Sequence, residues 1–279
     1  MPSTLVRTTA LLSLHCAATL GWPDVLVAQS ADSTRAVVPT ASADWHLQTT
    51  AFYSSANNGY GVWRGGDLRL LHSAPRFSPF VNIGTQSRPN GRQEAFGIGS
   101  YIVLAPWAYS IVGVGTAPDR GTVLFPRLRS DASLFLAVPG VRGLVLSVGG
   151  TDLRFSDPRA GGTILSLGTI FYHGRGIYSG AVFANHDRAS GARSTAWQAG
   201  AQWGGQGTYW LGVGVGSGNE AYRLLSATPF DARFRSNSAS VFGSKWIAAR
   251  SGLTLRFDFE QKVNVFDRRA AALIYFVDF

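Results

Sequence analysis

From residue 44 onward the chain alternates apolar and polar side chains in runs of ~10 residues, each bounded by turn-forming clusters. The pattern is clearest late in the chain. In 253–261, Leu253, Leu255, Phe257 and Phe259 fall on one side and Thr254, Arg256, Asp258 and Glu260 on the other. In 208–216, Tyr209, Leu211, Val213 and Val215 oppose Trp210, Gly212, Gly214 and Gly216. In 195–203, Trp197, Ala199, Ala201 and Trp203 oppose Gln198, Gly200 and Gln202. Successive side chains of a strand point to opposite faces, so each run predicts a strand with one apolar face and one polar or small face.

The connections sort into two kinds. Those at 73–76, 104–106, 139–142, 173–176, 204–207 and 250–252 are short. Those at 54–59, 87–92, 117–129, 156–161, 186–193, 217–236 and 262–269 are longer or more polar. Short turns on one side and longer loops on the other predict a closed antiparallel transmembrane β-barrel, all-β, of 14 strands with both termini on the periplasmic side. The runs before residue 130 alternate less cleanly, and 12 strands is the alternative count. Lipid offers no hydrogen bonds to a strand edge, so the last run, 270–279, is expected to close on the first, 44–53. Glycines such as Gly97, Gly99, Gly212, Gly214 and Gly216 are expected on the inner face, making room for long side chains opposite.

The N-terminus reads differently. Arg7 precedes an apolar stretch over 9–20, and small or aliphatic residues follow near Leu26, Val27 and Ala28. Residues 1–28 are therefore expected to be a cleaved secretory signal, with a cut after Ser30 as the alternative. The apolar stretch is far short of the ~20 residues a retained helical span needs. Leu14 and His15 stand ahead of Cys16 where a lipoprotein signal wants small residues. Residues 29–43 read as a flexible periplasmic leader, and 44–279 as the barrel.

Composition supports this reading. Only 15% of residues are charged, against roughly a quarter in globular proteins, while aromatics make 12% and glycines number 33. The one cysteine, Cys16, lies in the signal, so disulfides have no role in the mature chain. The net charge is +9, but the arginines are dispersed along the chain, with no basic helix or cluster, which argues against nucleic acid. Anionic lipopolysaccharide outside, or acidic solutes within a lumen, are the expected counterparts; plain solvated loop charge is the alternative.

The chain ends in a run whose Leu273, Tyr275, Val277 and Phe279 share one face. A terminal Phe with alternating apolar partners resembles the signal read by the outer-membrane barrel-assembly machinery, which is thus an expected partner during biogenesis. Arg256, Asp258 and Glu260 are the candidate lumen-facing charges.

Candidate chemistry is sparse. No His-x-Ser pattern on a lipid-facing strand marks a hydrolase. His186 and Asp187 are adjacent in a polar segment and are the nearest thing to a base with an orienting acid. No histidine or carboxylate spacing suggests a metal, and the Gly-x-Gly pairs lie within strands rather than before a helix. No catalytic, cofactor-binding or metal residue is assigned, and no cofactor is expected.

Trp63-Arg64-Gly65-Gly66-Asp67-Leu68-Arg69, Phe125-Pro126, Val138-Pro139-Gly140-Val141-Arg142-Gly143-Leu144 with Gly149 beyond, and the terminal Phe279 together resemble the YaiO-like outer-membrane β-barrel family. The resemblance covers 44–279. It implies location in the outer membrane and a barrel architecture, and it implies no reaction or substrate. Members of that family often carry helical repeats ahead of the barrel, whereas only the 29–43 leader precedes it here. Three readings of function follow. The first is a non-enzymatic envelope or surface role, with polysaccharide or a small solute as ligand. The second is a small anion-favouring pore, and the third an enzyme acting on lipid or lipopolysaccharide.

Overall fold

The computed structural model describes residues 44–118, 124–157, 159–220 and 234–279. The signal 1–28 and the leader 29–43 lie outside them. The described chain forms fourteen strands: β1 Trp45–Ala56, β2 Gly61–His72, β3 Phe77–Arg88, β4 Gly91–Ala105, β5 Ala108–Thr116, β6 Leu128–Ala137, β7 Leu144–Arg154, β8 Gly161–His173, β9 Gly176–Asp187, β10 Arg193–Gly205, β11 Tyr209–Glu220, β12 Phe234–Ala248, β13 Ser251–Lys262 and β14 Phe266–Asp278. Each pairs antiparallel with its chain neighbours, and β1 pairs with β14, so the sheet closes.

Closure runs in continuous register from His46↔Asp278 to Ala56↔Arg268. Trp45 and Phe279 exchange both backbone hydrogen bonds at 3.0 Å, so pairing extends to the final residue. No edge is left to face lipid. At the opposite end of the same seam the first and last hairpin turns are joined. Asn57 and Asp267 exchange hydrogen bonds, and Asn58 Nδ2 donates to the Val265 carbonyl at 2.8 Å.

Burial assigns the two faces. Val81, Ile98, Val114, Val148, Leu167, Val182, Val213, Val241, Leu255 and Leu273 are exposed and occupy the middle of the outer wall. They form an aliphatic band that only lipid can cover favourably. Toward the end holding the termini this band is rimmed by exposed Trp45, Phe77, Trp107, Tyr178, Trp203 and Phe279. Amphipathic rings at that level mark the membrane interface.

The strands run further than hydropathy suggests. Pro89 and Asn90 alone separate β3 from β4, and residues 263–265 separate β13 from β14. Polar residues such as Ser55, Ser87, Arg92 and Glu260 continue the ladder past the aliphatic band, because backbone pairing needs no apolar side chain. The long intervals between strands that remain in the sequence are 117–127 and 221–233.

Candidate functional site in the barrel lumen

The inner face has three regions of different chemistry. At the periplasmic end Phe135, Ile170, Ile177 and Trp210 form one cluster, packed against Tyr109, Tyr172, Phe242 and Trp246 among others. These four point inward yet are only 1–4% exposed. These side chains cover one another on the inner face, forming an apolar layer at this level of the wall. A second cluster, Leu71, Phe80 and Tyr101, continues the layer on the β2–β4 wall. The Arg69 guanidinium lies within it, 4.3 Å from the Phe80 ring centre, with Nη2 donating to the Tyr101 hydroxyl at 2.9 Å.

Glycine makes this packing fit. Phe80 stands opposite Gly99, Phe242 opposite Gly212, and Phe276 opposite Gly252. A Cβ at those glycines would come within 2.4, 2.2 and 2.3 Å of the facing ring. Each ring therefore lies flat across its partner glycine, a cross-strand pairing that covers the bare backbone. Gly99 and Gly212 are where the sequence pattern places inner-face glycines.

The middle of the β6–β12 wall is lined by small residues. Gly149 faces both Ser133 and Ser166; Gly168 faces Ser147; Gly214 and Gly216 face Ser240 and Ser238. Most of these positions are half-buried, so this stretch of the lumen admits water.

The third region is charged and sits toward the extracellular end of β2, β3, β13 and β14. Arg268 Nε donates to Glu260 Oε2 at 2.8 Å, and Lys262 Nζ lies 3.5 Å from Oε1. The Trp63 ring meets two guanidiniums, Arg88 at 4.1 Å and Arg268 at 5.3 Å from its centre. Phe266 packs on Trp63 and on Tyr60 above it. All four charged side chains are 3–7% exposed. Ion pairs taken out of water persist only when each partner is well met, which the ring stacking and the use of both Glu260 oxygens provide.

The three charges singled out by alternation do not act together. Glu260 belongs to this network, whereas Arg256 bonds Asp258 through Nε at 2.8 Å and Nη2 at 2.7 Å as a separate, partly wetted pair below it. Arg88, Lys262 and Arg268 were not singled out. Lys262 continues the alternate positions of β13, but Arg88 and Arg268 join only through the pairing of β14 with β13 and the curvature of the wall. On the outward face of β14 and at the terminus, Leu273, Tyr275 and Phe279 are exposed, and Val277 is half-buried among them.

At the mouth Gln93 is 2% exposed and holds the 117–127 segment to the inner wall. Its Oε1 accepts from the backbone N–H of Leu124 at 2.7 Å and of Phe125 at 2.8 Å, while Nε2 donates to the Pro118 carbonyl at 3.0 Å. Ala117, Leu124 and Phe125 are buried against Ala95. The described part of this connection thus turns into the barrel instead of standing free in solvent; residues 119–123 lie outside the described residues. Beside it, Arg129 Nε and Thr151 Oγ1 both donate to Asp131.

His186 and Asp187 are successive strand residues on opposite faces. Asp187 accepts from the Ser190 backbone and hydroxyl, and so shapes the β9–β10 turn. They do not form a base with an orienting acid. Histidine and aspartate do meet elsewhere: His46 Nδ1 lies 2.6 Å from Asp278 Oδ1 at the periplasmic end of the seam. Among the described residues no histidine is hydrogen-bonded to a serine, and no group of three His, Cys, Asp or Glu is placed to hold a metal ion.

Comparison with known proteins agrees with this architecture. The chain resembles a bacterial polysaccharide outer membrane secretin with a TM-score of 0.58 and 6% identity, over 84% of this chain and 98% of that one. It resembles the CymD monoaromatic hydrocarbon channel with a TM-score of 0.54 and 10% identity, over 85% and 89%. At such identities the likeness is one of fold. No curated protein matches. The YaiO membrane beta barrel domain matches residues 46–223, and the chain belongs to that family of outer-membrane β-barrels.

Proposed function

We propose that the protein has a non-enzymatic envelope or surface role, as an outer-membrane barrel whose lumen is occluded at rest. One observation carries this reading: inward Phe135, Ile170, Ile177 and Trp210 are almost fully buried where an open pore would wet them. The ligand class we propose is a surface polysaccharide or small polar solute at the extracellular mouth. Arg129, Asp131 and Thr151 there combine a planar donor, a carboxylate and a hydroxyl, groups suited to sugar hydroxyls. The test is single-channel conductance of the refolded full barrel, with heat-modifiable gel mobility confirming that it has folded. Folded protein without steady conductance supports occlusion; steady, salt-dependent conductance overturns it.

A small anion-favouring pore is the second reading, and the charged wall favours it. Among the described residues, Arg88, Lys262 and Arg268 gather three positive charges near the Glu260 carboxylate. Should conductance appear, its reversal potential under a salt gradient reads the effect of these charges directly. A barrel enzyme acting on lipid has less support, since His186 and Asp187 face opposite ways.

A further inference from the structure

The outer wall of β7–β10 carries charge where the rest of the wall is aliphatic. Asp152 sits on the outward face of β7, and its two carboxylate oxygens hold two guanidiniums: Arg154 Nε at 2.7 Å and Arg188 Nη2 at 2.5 Å. The Arg188 backbone is itself fixed by its N–H donating to the Gly161 carbonyl at 2.9 Å. Three strands along, exposed Arg193 pairs in register with His186, which pairs with Thr163, which pairs with Asp152. This row across four strands, with Arg154 and Arg188 beside Asp152, gathers three arginines against the Asp152 carboxylate. Next to it the wall is hollowed: a cavity of about 740 Å³ is lined mainly from outward positions, including Thr163, Leu165, Ala184, His186, Arg193 and Thr195. That size suits a headgroup, not an ion. Immediately below, toward the membrane centre, come exposed Leu165, Leu167, Val148 and Val182.

We infer that this patch binds a lipid with a phosphorylated sugar headgroup, of the lipid A class, on the outer leaflet. Guanidiniums fixed by Asp152 present forked N–H donors to phosphate, where charge-assisted, two-pronged bonds are strongest. The hydroxyls of Thr163 and Thr195 line the space a sugar would fill. The aliphatic residues below meet the acyl chains. Asp152 thus acts as a positioning residue, keeping Arg154 and Arg188 apart and aimed outward while leaving the row net positive. The site stands on the outer wall and is independent of whether the lumen opens.

The test uses the full barrel, refolded in detergent and checked by heat-modifiable mobility, with native mass spectrometry reading retained lipid. Bis-phosphorylated lipid A, its dephosphorylated form and phosphatidylglycerol are the probes. The expected result is selective retention of the bis-phosphorylated lipid, weakened about tenfold or more in the R154Q/R188Q/R193Q variant. A variant on the other side of the barrel, R64Q/R92Q, is expected to retain the lipid as the parent does. Equal retention of dephosphorylated lipid A or of phosphatidylglycerol overturns the inference. So does an equal loss in R64Q/R92Q, which would reduce the effect to general surface charge. Should the triple variant fold poorly, R193Q alone, which leaves the Asp152 pairs intact, must still lower retention.

Discussion

His46 and Asp278, 232 residues apart in sequence, meet at 2.6 Å between Nδ1 and Oδ1 across the β1–β14 seam. The contact lies one residue inside the terminal Trp45–Phe279 backbone pair and is covered by Phe276, whose ring stacks on the imidazole at 6.1 Å. The seam is thus held by a side-chain bond at its periplasmic end and by the Asn57–Asp267 and Asn58–Val265 bonds at its other end.

Replacing His46 or Asp278 by alanine removes the periplasmic fastening. A hydrogen bond of this partly buried, charge-bearing kind contributes on the order of 1–3 kcal/mol. Either variant should unfold at lower guanidinium concentration, and the double variant should lose little more than each single one. Additive losses would show that the two side chains act separately.

Arg268→Ala should be more damaging, because it leaves the buried Glu260 carboxylate to the longer Lys262 contact at 3.5 Å. Breaking such a pair costs roughly 3–5 kcal/mol. The double variant Glu260→Gln, Arg268→Met should recover part of that loss in the same denaturation measurement. No recovery would mean that the Arg268 stacking on Trp63, and not its ion pair, holds this corner.

Gly212→Ala brings a methyl group to about the place where the Phe242 ring now lies, at 2.2 Å. Overpacking of this kind costs about 1–3 kcal/mol. Gly180→Ala, whose Cβ would meet only the Gln198 carbonyl at 3.8 Å, should be nearly neutral. Comparing unfolding midpoints of the two variants separates loss of ring packing from any general effect of removing a strand glycine.

Gln93→Ala cuts the three hydrogen bonds that hold the 117–127 segment inward. Cleavage by trypsin after Arg127 should then become faster in the folded barrel, and bursts of conductance should appear if this segment contributes to closure. Unchanged proteolysis would assign the hold to the burial of Leu124 and Phe125.

Removing Phe279 tests the proposed recognition by the assembly machinery. The truncated chain should refold in detergent almost as well as the parent, since one terminal backbone pair is lost, yet should accumulate less folded barrel in cells. Equal defects in both settings would make Phe279 a seam residue only.

Much of this architecture was legible in the residues. The alternation of Leu253, Leu255, Phe257 and Phe259 with Thr254, Arg256, Asp258 and Glu260 is a local property, because the side-chain period of a strand is set by its own backbone. The same rule separated Trp210 and Gly212 from Leu211 and Val213, and the spacing of turns carried the strand count. Which inner side chains meet is a different kind of information. Glu260 finds Arg268, and Arg256 finds Asp258, through register and rotamer. The closure of β14 on β1 brings Arg268 to the Trp63 ring that Arg88 also meets. The inward course of Leu124 and Phe125 depends on Gln93, some thirty residues earlier. The sequence by itself determined strands, faces and a closed wall, since each follows from neighbours along the chain and from lipid's inability to hydrogen-bond. That Phe135, Ile170, Ile177 and Trp210 cluster on the inner face, and where its charges pair, came from the three-dimensional fold, because those contacts join residues that a local pattern does not relate.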